Sequence, residues 1–297
     1  MIGRSWLFVP GDSERKQVKA LASSADVLIL DLEDSVAPQR RDQARAQVAA
    51  VLRSRRQRAA SQQLWVRINS LASGALLEDL IAVMPGAPDG VVLPKAVGTD
   101  EVVELHHYLT ALEQREALPP QGTRVVVIAT ESARAVLRLE GFAAGACPQR
   151  LAGLTWGAED LSADLGAREK LASDGAPTAT FRLARSLCLL AAAAAGVQPI
   201  DGVYTDYTDG AGLARELEHA RRDGFTGKLA VHPDQVGPIN AAFTPTEAEL
   251  AVARRIVAAF QAAPDVGVTS IDGSMVDRPH LLRAQRLLAA AEAFTRQ

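Results

Sequence analysis

Short apolar runs recur along the chain, and each is followed by polar, glycine or proline residues and then by a helical pattern. Apolar runs of this kind, bounded by turn residues, predict buried β-strands, and the segments between them predict helices. The predicted strands span residues 4–10, 26–34, 64–69, 90–95, 124–130, 151–157, 200–206 and 227–233.

This alternation of strand and helix favours one fold class over its nearest rival. Eight βα units with near-continuous apolar strands are typical of a (β/α)8 TIM barrel, in which helices cover a parallel sheet. A doubly wound open sheet would place a glycine-rich phosphate loop after the first strand, and the segment "VPGDSER" has a single glycine. We therefore predict an α/β fold with a barrel over residues 1–243.

The chain continues beyond the eighth predicted strand. Two amphipathic segments, "PTEAELAVARRIVAAFQAA" and "PHLLRAQRLLAAAEAFTRQ", flank the stretch "SIDGSMVDRPH". We predict a C-terminal helical extension over residues 244–297 with a loop between its helices. Gly273 allows that loop to bend, and Pro279 suits the first turn of the last helix.

Composition narrows the class of protein. The 32 Lys and Arg against 35 Asp and Glu give a net charge of −3 without a long run of one sign, which argues against nucleic acid or an anionic membrane as the partner. The longest apolar run, "LCLLAAAAAGV", is too short for a membrane span, and no signal-peptide pattern precedes the barrel. Cys147 and Cys188 lack CxxC spacing, which suits a reducing compartment. We expect a soluble, cytoplasmic protein.

Ionisable residues gather where the predicted strands end. In a barrel these C-terminal ends form the active site, and buried charges are costly unless they are paired, so the pattern predicts a shared polar pocket. The residues concerned are Asp31, Glu33, Asp34, Arg67, Asn69, Lys95, Glu131, Glu159, Asp160, Asp206 and His232.

Two of these carboxylates close neighbouring strands. Glu131 follows the fifth predicted strand and Asp160 the sixth. Mg²⁺ usually takes one or two protein carboxylates and keeps positions for water and a substrate oxygen. Glu131 and Asp160 are therefore candidate metal ligands, with helix capping or pairing to Arg134 and Arg168 as the alternative.

The two cations of the pocket suggest different roles. Arg67 can grip a carboxylate or a developing oxyanion through two parallel hydrogen bonds, although an arginine here could also be a salt-bridge partner. Lys95 is expected to pair with Asp31 or Glu33, because acidic neighbours keep lysine protonated and disfavour a Schiff base. For His232 the simpler interpretation is a core or loop-anchoring histidine.

Nine segments, taken in order, carry a family resemblance. They are "RSWLFVPGDSERK", "DVLILDLEDSVAP", "VRIN", "GVVLPKA", "TESARAV", "GAEDLSADLG", "IDGVYTDYTDGAGL", "GFTGKLAVHPDQV" and "DGSMVDRPH". Together they resemble the citrate lyase β-subunit-like family of the HpcH/HpaI aldolase superfamily, from Arg4 to about His280. One departure is Val97, where many relatives have glutamate.

The resemblance implies a Mg²⁺-binding barrel that cleaves a 3-hydroxy-3-carboxy acyl-CoA of the citramalyl, malyl or citryl type into a 2-oxo acid and acetyl-CoA. Transferred position by position, it assigns Glu131 and Asp160 to the metal, and Arg67 together with Glu131 to the substrate. Arg15 and Lys19 fall where relatives contact the phosphates of coenzyme A. The remaining acidic-pocket residues are then supporting groups, namely Asp31, Glu33, Asp34 and Lys95.

The resemblance also gives the C-terminal extension a role. Asp277 matches an acid–base aspartate that relatives carry on a lid, here residues 264–280. In relatives the lid covers the active site of a neighbouring subunit, which implies a homo-oligomer such as a trimer or hexamer. Asp272, the other aspartate of the stretch, is left to form the turn.

Two other functions stay open from the sequence. The chain could be the β subunit of a multi-subunit citrate lyase, acting only on a citryl thioester bound to an acyl-carrier partner. It could also be a metal-dependent 2-oxo acid aldolase or an inactive barrel. Turnover of a free CoA thioester by the purified chain would separate the first function from the carrier-bound one.

Overall fold

A computed structural model of the chain describes residues 3–55, 62–144, 149–173, 175–263 and 266–295. The chain divides into two units, Ile2–Asn240 and Ala241–Gln297. The strands of the first unit are β1 (Ser5–Pro10), β2 (Val27–Asp31), β3 (Gln63–Arg67), β4 (Gly90–Leu93), β5 (Arg124–Ile128), β6 (Leu151–Thr155), β7 (Gln198–Asp201) and β8 (Gly227–Ala230). They pair in parallel and in this order into a closed barrel, which confirms the predicted fold.

Helices alternate with these strands. They are α1 (Glu14–Leu21), α2 (Arg41–Arg55), α3 (Leu76–Val83), α4 (Thr99–Arg115), α5 (Ala133–Leu137), α6 (Glu140–Ala143), α7 (Ala158–Leu165), α8 (Ala179–Ala195), α9 (Gly210–Asp223) and α10 (Val236–Phe243). Short 3-10 turns span Pro38–Arg40, Leu71–Ser73, Met84–Gly86 and Pro233–Gln235. The boundary predicted at residue 243 lies three residues beyond the division between the two units, which falls within α10.

The barrel interior is filled by apolar side chains. Trp6 and Trp65 meet edge to face, with ring centroids 5.0 Å apart. The buried cluster around them comprises Trp6, Val27, Ile29, Trp65, Val92, Val126, Ile128, Ile200 and Leu229. Because the interior is packed, polar chemistry is confined to the layer above it, at the C-terminal ends of the strands.

The second unit contains α11 (Glu247–Ala262) and α12 (Arg278–Thr295), which pack through a small apolar cluster. Between them lie β9 (Val268–Ile271) and β10 (Ser274–Asp277), which form an antiparallel hairpin. The prediction of a loop here is wrong, whereas the turn role given to Asp272 agrees with the structure. Asp272 and Gly273 both have positive φ, 51° and 77°, as the type I′ turn of a two-residue hairpin requires. Residues 264–265 of the predicted lid lie outside the described residues.

The structure can be compared with the predictions about membrane spans and about the two cysteines. Within the residues that the structure describes, no helix is long and apolar enough to cross a membrane. Cys188 is fully buried in α8, and this burial raises the pKa of its thiol. Cys147 lies outside the described residues.

Candidate active site

The ends of neighbouring strands lie side by side at the mouth of the barrel. Asp31 of β2 is in register with Pro10 of β1 on one side and with Arg67 of β3 on the other. Residues in register on adjacent strands point to the same face of a sheet, because side chains alternate along each strand. The fold therefore brings Asp31 and Arg67 together.

Asp31 and Arg67 form a buried ion pair with two hydrogen bonds. Nε and Nη2 of Arg67 donate to the two carboxylate oxygens of Asp31 at 2.7 and 2.6 Å. Burial disfavours the charged form of Asp31, but the Arg67 guanidinium outweighs it and lowers the pKa of this carboxyl below its ordinary value. The guanidinium also lies 4.8 Å from the centre of the Phe8 ring. Arg67 is thus a fixed cation at the mouth.

Lys95, which follows β4, holds the two acids that follow Asp31. Its Nζ donates to Glu33 Oε1 at 2.6 Å and to Asp34 Oδ2 at 2.8 Å, while Nη1 of Arg67 lies 3.0 Å from Glu33 Oε2. Of the two partners predicted for Lys95, Glu33 is present and Asp31 is engaged by Arg67 instead. Burial above all raises the pKa of Glu33. The loop after β2 is therefore tied to the ends of β3 and β4.

Glu131 and Asp160 meet at the ends of β5 and β6. Glu131 is buried, with 6% exposure, and Asp160 lies in the first turn of α7. The main-chain N–H of Lys95 donates to Glu131 Oε2, and the Glu131 carboxyl also contacts that of Asp160. Gly157 permits this arrangement, because a Cβ at that position would lie 2.9 Å from Glu131 Cγ.

The electrostatics of this pair favour a bound cation. Burial above all raises the pKa of Glu131 to about 8, and the negative charges of Asp160 and Glu33 act in the same direction, against the Lys95 N–H. Two touching carboxylates cannot both carry a charge cheaply unless a proton or a cation compensates it. A divalent cation between Glu131 and Asp160 would supply that compensation.

The donor set fits Mg²⁺ with an incomplete protein shell. Within the described ranges, no group of three Asp, Glu, His or Cys side chains converges as a metal site. Mg²⁺ commonly binds through one or two carboxylates and fills its octahedral shell with water and substrate oxygens. Glu131 and Asp160 could therefore hold Mg²⁺ and leave positions open for a ligand.

A cavity of about 630 Å³ opens beside the Asp31–Arg67 pair. Arg15, Lys16 and Lys19 of α1 also line it. Arg15 and Lys19, which the sequence suggested for phosphate contacts, thus share one cavity with Arg67. A cavity of this size suits a small organic ligand, and its basic side chains favour an anionic one.

His232 also lines this cavity. Its Nδ1 accepts the main-chain N–H of Asp234 at 3.3 Å, and its ring stacks on Tyr207 with centroids 4.8 Å apart. These contacts agree with a loop-anchoring histidine.

The structure corrects the predicted end of the seventh strand. β7 ends at Asp201, and Asp206 lies exposed in the following loop, where its carboxylate accepts the N–H and hydroxyl of Thr208. Asp201 is fully buried and accepts a hydrogen bond from the indole of Trp156 at 2.7 Å. Arg185 and Lys228 also donate to it, and Lys228 is a lysine inside the apolar run "GKLAV". Because a lysine inside an apolar strand needs an acidic partner, Lys228 was the sequence signal for a buried acid nearby.

Asp79 of α3 is another buried acid that the sequence analysis did not single out. It accepts the main-chain N–H and the side-chain amide of Asn69 at 2.8 Å each, and Nε of Arg45 at 2.8 Å. The same Asn69 amide donates to the carbonyl of Leu32 at 2.9 Å. Asp79 therefore fixes the loop that carries the acids after β2. In the sequence, an acid at a helical position otherwise shared by the apolar residues of "LLEDLIAV" was the signal that could have indicated a buried carboxylate.

Asp277, the predicted acid–base residue, belongs to the C-terminal unit. It ends β10, and its carboxylate contacts Nδ1 of His280 in the first turn of α12. This hydrogen bond lowers the pKa of Asp277. The side chain is about one-third exposed, at 32%.

Comparison with known proteins agrees with these features. Residues 4–233 match the family model described as HpcH/HpaI aldolase/citrate lyase. The chain is 35% identical over 292 residues to citrate lyase subunit beta of Escherichia coli, covering 97% of this chain and 93% of that protein. It is 34% identical over 300 residues to (3S)-malyl-CoA thioesterase of Cereibacter sphaeroides, covering 98% and 95%.

Solved structures of similar proteins extend the comparison to ligands. The crystal structure of CitE from Mycobacterium tuberculosis in complex with magnesium, acetoacetate and coenzyme A has a TM-score of 0.76 and 34% identity, with 98% of both chains covered. Its complex with magnesium and pyruvate gives a TM-score of 0.70 and 32% identity, with 97% of this chain and 98% of that chain covered. These similarities extend over nearly the whole chain.

Proposed function

We propose that this chain, which belongs to the HpcH/HpaI aldolase/citrate lyase family, cleaves a 3-hydroxy-3-carboxy acyl-CoA with the help of Mg²⁺. The products are a 2-oxo acid and acetyl-CoA. Carbon–carbon lyase activity is a property of this family, and the substrate class and metal are supported by the ligands of the M. tuberculosis relative. The observation that carries the proposal is the meeting of Glu131 and Asp160 at the ends of β5 and β6, where Lys95 contacts both of them.

The site residues divide the chemistry between them. Glu131 and Asp160 would hold Mg²⁺, which supplies Lewis-acid polarisation of the substrate's hydroxyl and carboxylate oxygens. Arg67, kept in place by Asp31, faces the cavity and stabilises negative charge on the oxygen that becomes the ketone. Its rigid ion pair means that little reorganisation is needed when that charge changes.

Basic side chains of α1 line the part of the cavity proposed to bind the coenzyme A portion of the substrate. Arg15 and Lys19 lie along α1 at the cavity that also contains Arg67, so phosphates of coenzyme A could be bound at one end while the acyl group reaches the other. Lys16 adds a further positive charge there. Binding energy from such remote groups positions the reacting bond.

Cleavage removes the hydroxyl proton of the substrate and leaves a thioester enolate that needs a proton on carbon. Asp277 is the proposed acid–base residue, on a lid formed by residues 264–280 and shared with a neighbouring subunit of a homo-oligomer; its carboxylate would take up the hydroxyl proton and return it to the enolate carbon. Closure of such a lid would exclude water from the enolate. Asp277 lies at the end of the β9–β10 hairpin, and its carboxyl contacts His280. A position at the end of a hairpin suits a group that a lid carries to an active site.

The relatives favour two alternatives that one assay can separate. The E. coli relative is a subunit of citrate lyase, so this chain could act on a carrier-bound thioester. The C. sphaeroides relative is named as a thioesterase, which would release a hydroxy acid and free thiol without breaking a carbon–carbon bond.

The assay is incubation of the purified chain and Mg²⁺ with malyl-, citramalyl- and citryl-CoA, followed by identification of the products. A 2-oxo acid released in step with acetyl-CoA supports the proposal and shows which side chain the pocket accepts. Free thiol with an intact hydroxy acid would establish the thioesterase. No turnover of any free CoA ester, with turnover of a carrier-bound citryl group, would establish the subunit role.

A further inference from the structure

Lys95 has a backbone conformation that non-glycine residues rarely adopt. Its φ is 54°, in the left-handed region, directly after β4 and Pro94. A lysine is held in this strained conformation only when its surroundings require it, and such residues concentrate at functional sites. Here the conformation aims the main-chain N–H of Lys95 at Glu131 Oε2.

The side chain of the same residue reaches the other proposed metal ligand. Nζ of Lys95 lies 3.6 Å from Asp160 Oδ1, in addition to its contacts with Glu33 at 2.6 Å and Asp34 at 2.8 Å. Lys95 therefore touches both proposed ligands, Glu131 through its main chain and Asp160 through its ammonium group.

These contacts place a fixed positive charge next to the position where a divalent cation would bind. A cation shared by Glu131 and Asp160 would be repelled by the Lys95 ammonium across a short distance and a partly buried site. The ammonium cannot swing far away, because Glu33 and Asp34 hold it. Arg67 contacts Asp31 and Glu33 on the β2 side of the mouth, whereas Lys95 contacts both proposed ligands directly.

We propose that the positive charge of Lys95, held in place by Glu33 and Asp34, weakens Mg²⁺ binding when no 2-oxo acid is bound and makes tight Mg²⁺ binding depend on that acid. The carboxylate of the 2-oxo acid brings the negative charge that offsets Lys95, so acid and metal increase each other's affinity by the same factor. Lys95 is thus a positioning residue that couples the two ligands. This inference rests on the proposed function, because it takes Glu131 and Asp160 as the metal ligands.

The test is a titration of Mg²⁺ by calorimetry, with and without glyoxylate, pyruvate or oxaloacetate at constant ionic strength. In the unaltered protein, at least one of these acids should raise Mg²⁺ affinity about tenfold or more. Lys95→Met removes the charge at similar side-chain length, so Mg²⁺ alone should bind about tenfold more tightly and the effect of the acid should shrink. Lys95→Arg keeps the charge and should preserve the coupling.

Other variants separate folding from electrostatics. Lys95→Gly removes the ammonium and relieves the positive φ, so it should match Lys95→Met in Mg²⁺ affinity even if the methionine variant is poorly folded. Circular dichroism and thermal melting check each variant. If both Lys95→Met and Lys95→Gly bind Mg²⁺ alone no more tightly than the unaltered protein, the inference is overturned.

Failure of the proposed function would give a different result. Glu131→Gln should abolish or strongly weaken Mg²⁺ binding with and without the acid. Unchanged Mg²⁺ binding in Glu131→Gln would remove the metal centre itself and the inference with it. Loss of binding there, with no gain in the Lys95 variants, would overturn only the role of Lys95.

Discussion

The carboxylate of Asp201 and the ammonium of Lys228 lie 3.1 Å apart, and both side chains are completely buried in the wall of the barrel. Arg185 of α8 donates to the same carboxylate from Nε at 2.9 Å, and the Trp156 indole donates at 2.7 Å. The Lys228 ammonium also donates to the carbonyl of Gly202 at 2.7 Å. The network thus links β7 and β8 to α8 and to the segment after β6, which leads into α7, the helix that carries Asp160.

Removal of the Asp201 charge should strongly destabilise the protein. Asp201→Asn removes the fully buried acid that Lys228 and Arg185 share and leaves them with the partly exposed Glu216 and Asp223, so the free energy of unfolding should fall by up to about 3–5 kcal/mol. Urea unfolding measures the change. Glu218→Gln, which breaks a surface ion pair with Arg222, is the matched control and should change the free energy by less than about 1 kcal/mol. Equal effects of the two variants would contradict a structural role for the buried pair.

The same carboxylate should make part of the stability depend on pH. Burial opposes ionisation, but Lys228 and Arg185 outweigh it and lower the pKa of Asp201 from 3.8 to about 2. A depressed folded-state pKa means that the stabilisation is fully present above 3.8 and is lost as pH falls toward about 2. The difference in unfolding free energy between the unaltered protein and Asp201→Asn should be constant from neutral pH to about pH 5 and should narrow below pH 3.8. A difference that widens on acidification would refute the assignment.

Gly157 should be needed for the position of the Glu131 carboxylate. In Gly157→Ala the new Cβ would lie 2.9 Å from Glu131 Cγ, so the Glu131 side chain must move. We expect Mg²⁺ affinity and turnover to fall by about tenfold or more, because misplacement of a ligand by about 1 Å is costly. Calorimetry and the CoA-ester assay measure both. Gly210→Ala, where a Cβ meets nothing within 4 Å, should behave like the unaltered protein.

Chelation should abolish turnover if Glu131 and Asp160 hold Mg²⁺. Excess EDTA removes the cation that compensates these two carboxylates, and added Mg²⁺ should restore the rate. Release of the 2-oxo acid from the CoA ester is the measurement. Full activity in EDTA, with the metal content of the protein checked by elemental analysis, would rule out the metal role.

The sequence predicted the barrel well because buried parallel strands are apolar throughout and alternate with helices. It also identified the mouth residues, since an acid or a base directly after an apolar run is conspicuous. It did not predict the conformation of Lys95, because a positive φ at a lysine arises from the contacts of Glu131 and the neighbouring loops. The apolar pattern predicted Asp206, and not Asp201, as the acid at the end of β7, because the point where this strand ends depends on its pairing with β6 and β8. The hairpin was missed, although Asp272-Gly273 is a strong turn signal between two short strands.

Asp277 is expected to act in the chemical step and not in ligand binding. Asp277→Asn keeps the size of the side chain and removes the acid, so turnover should fall by about 10²–10⁴-fold, as for the loss of a general acid. Mg²⁺ and 2-oxo acid binding should be unchanged, because neither requires a proton from this residue. Asp272→Asn is the matched control in the same hairpin; it breaks the ion pair with Arg255 at 2.6 Å, retains a residue that tolerates positive φ, and should keep near-normal turnover. Near-normal turnover in Asp277→Asn as well would show that another group protonates the enolate, because an asparagine amide cannot serve as that acid.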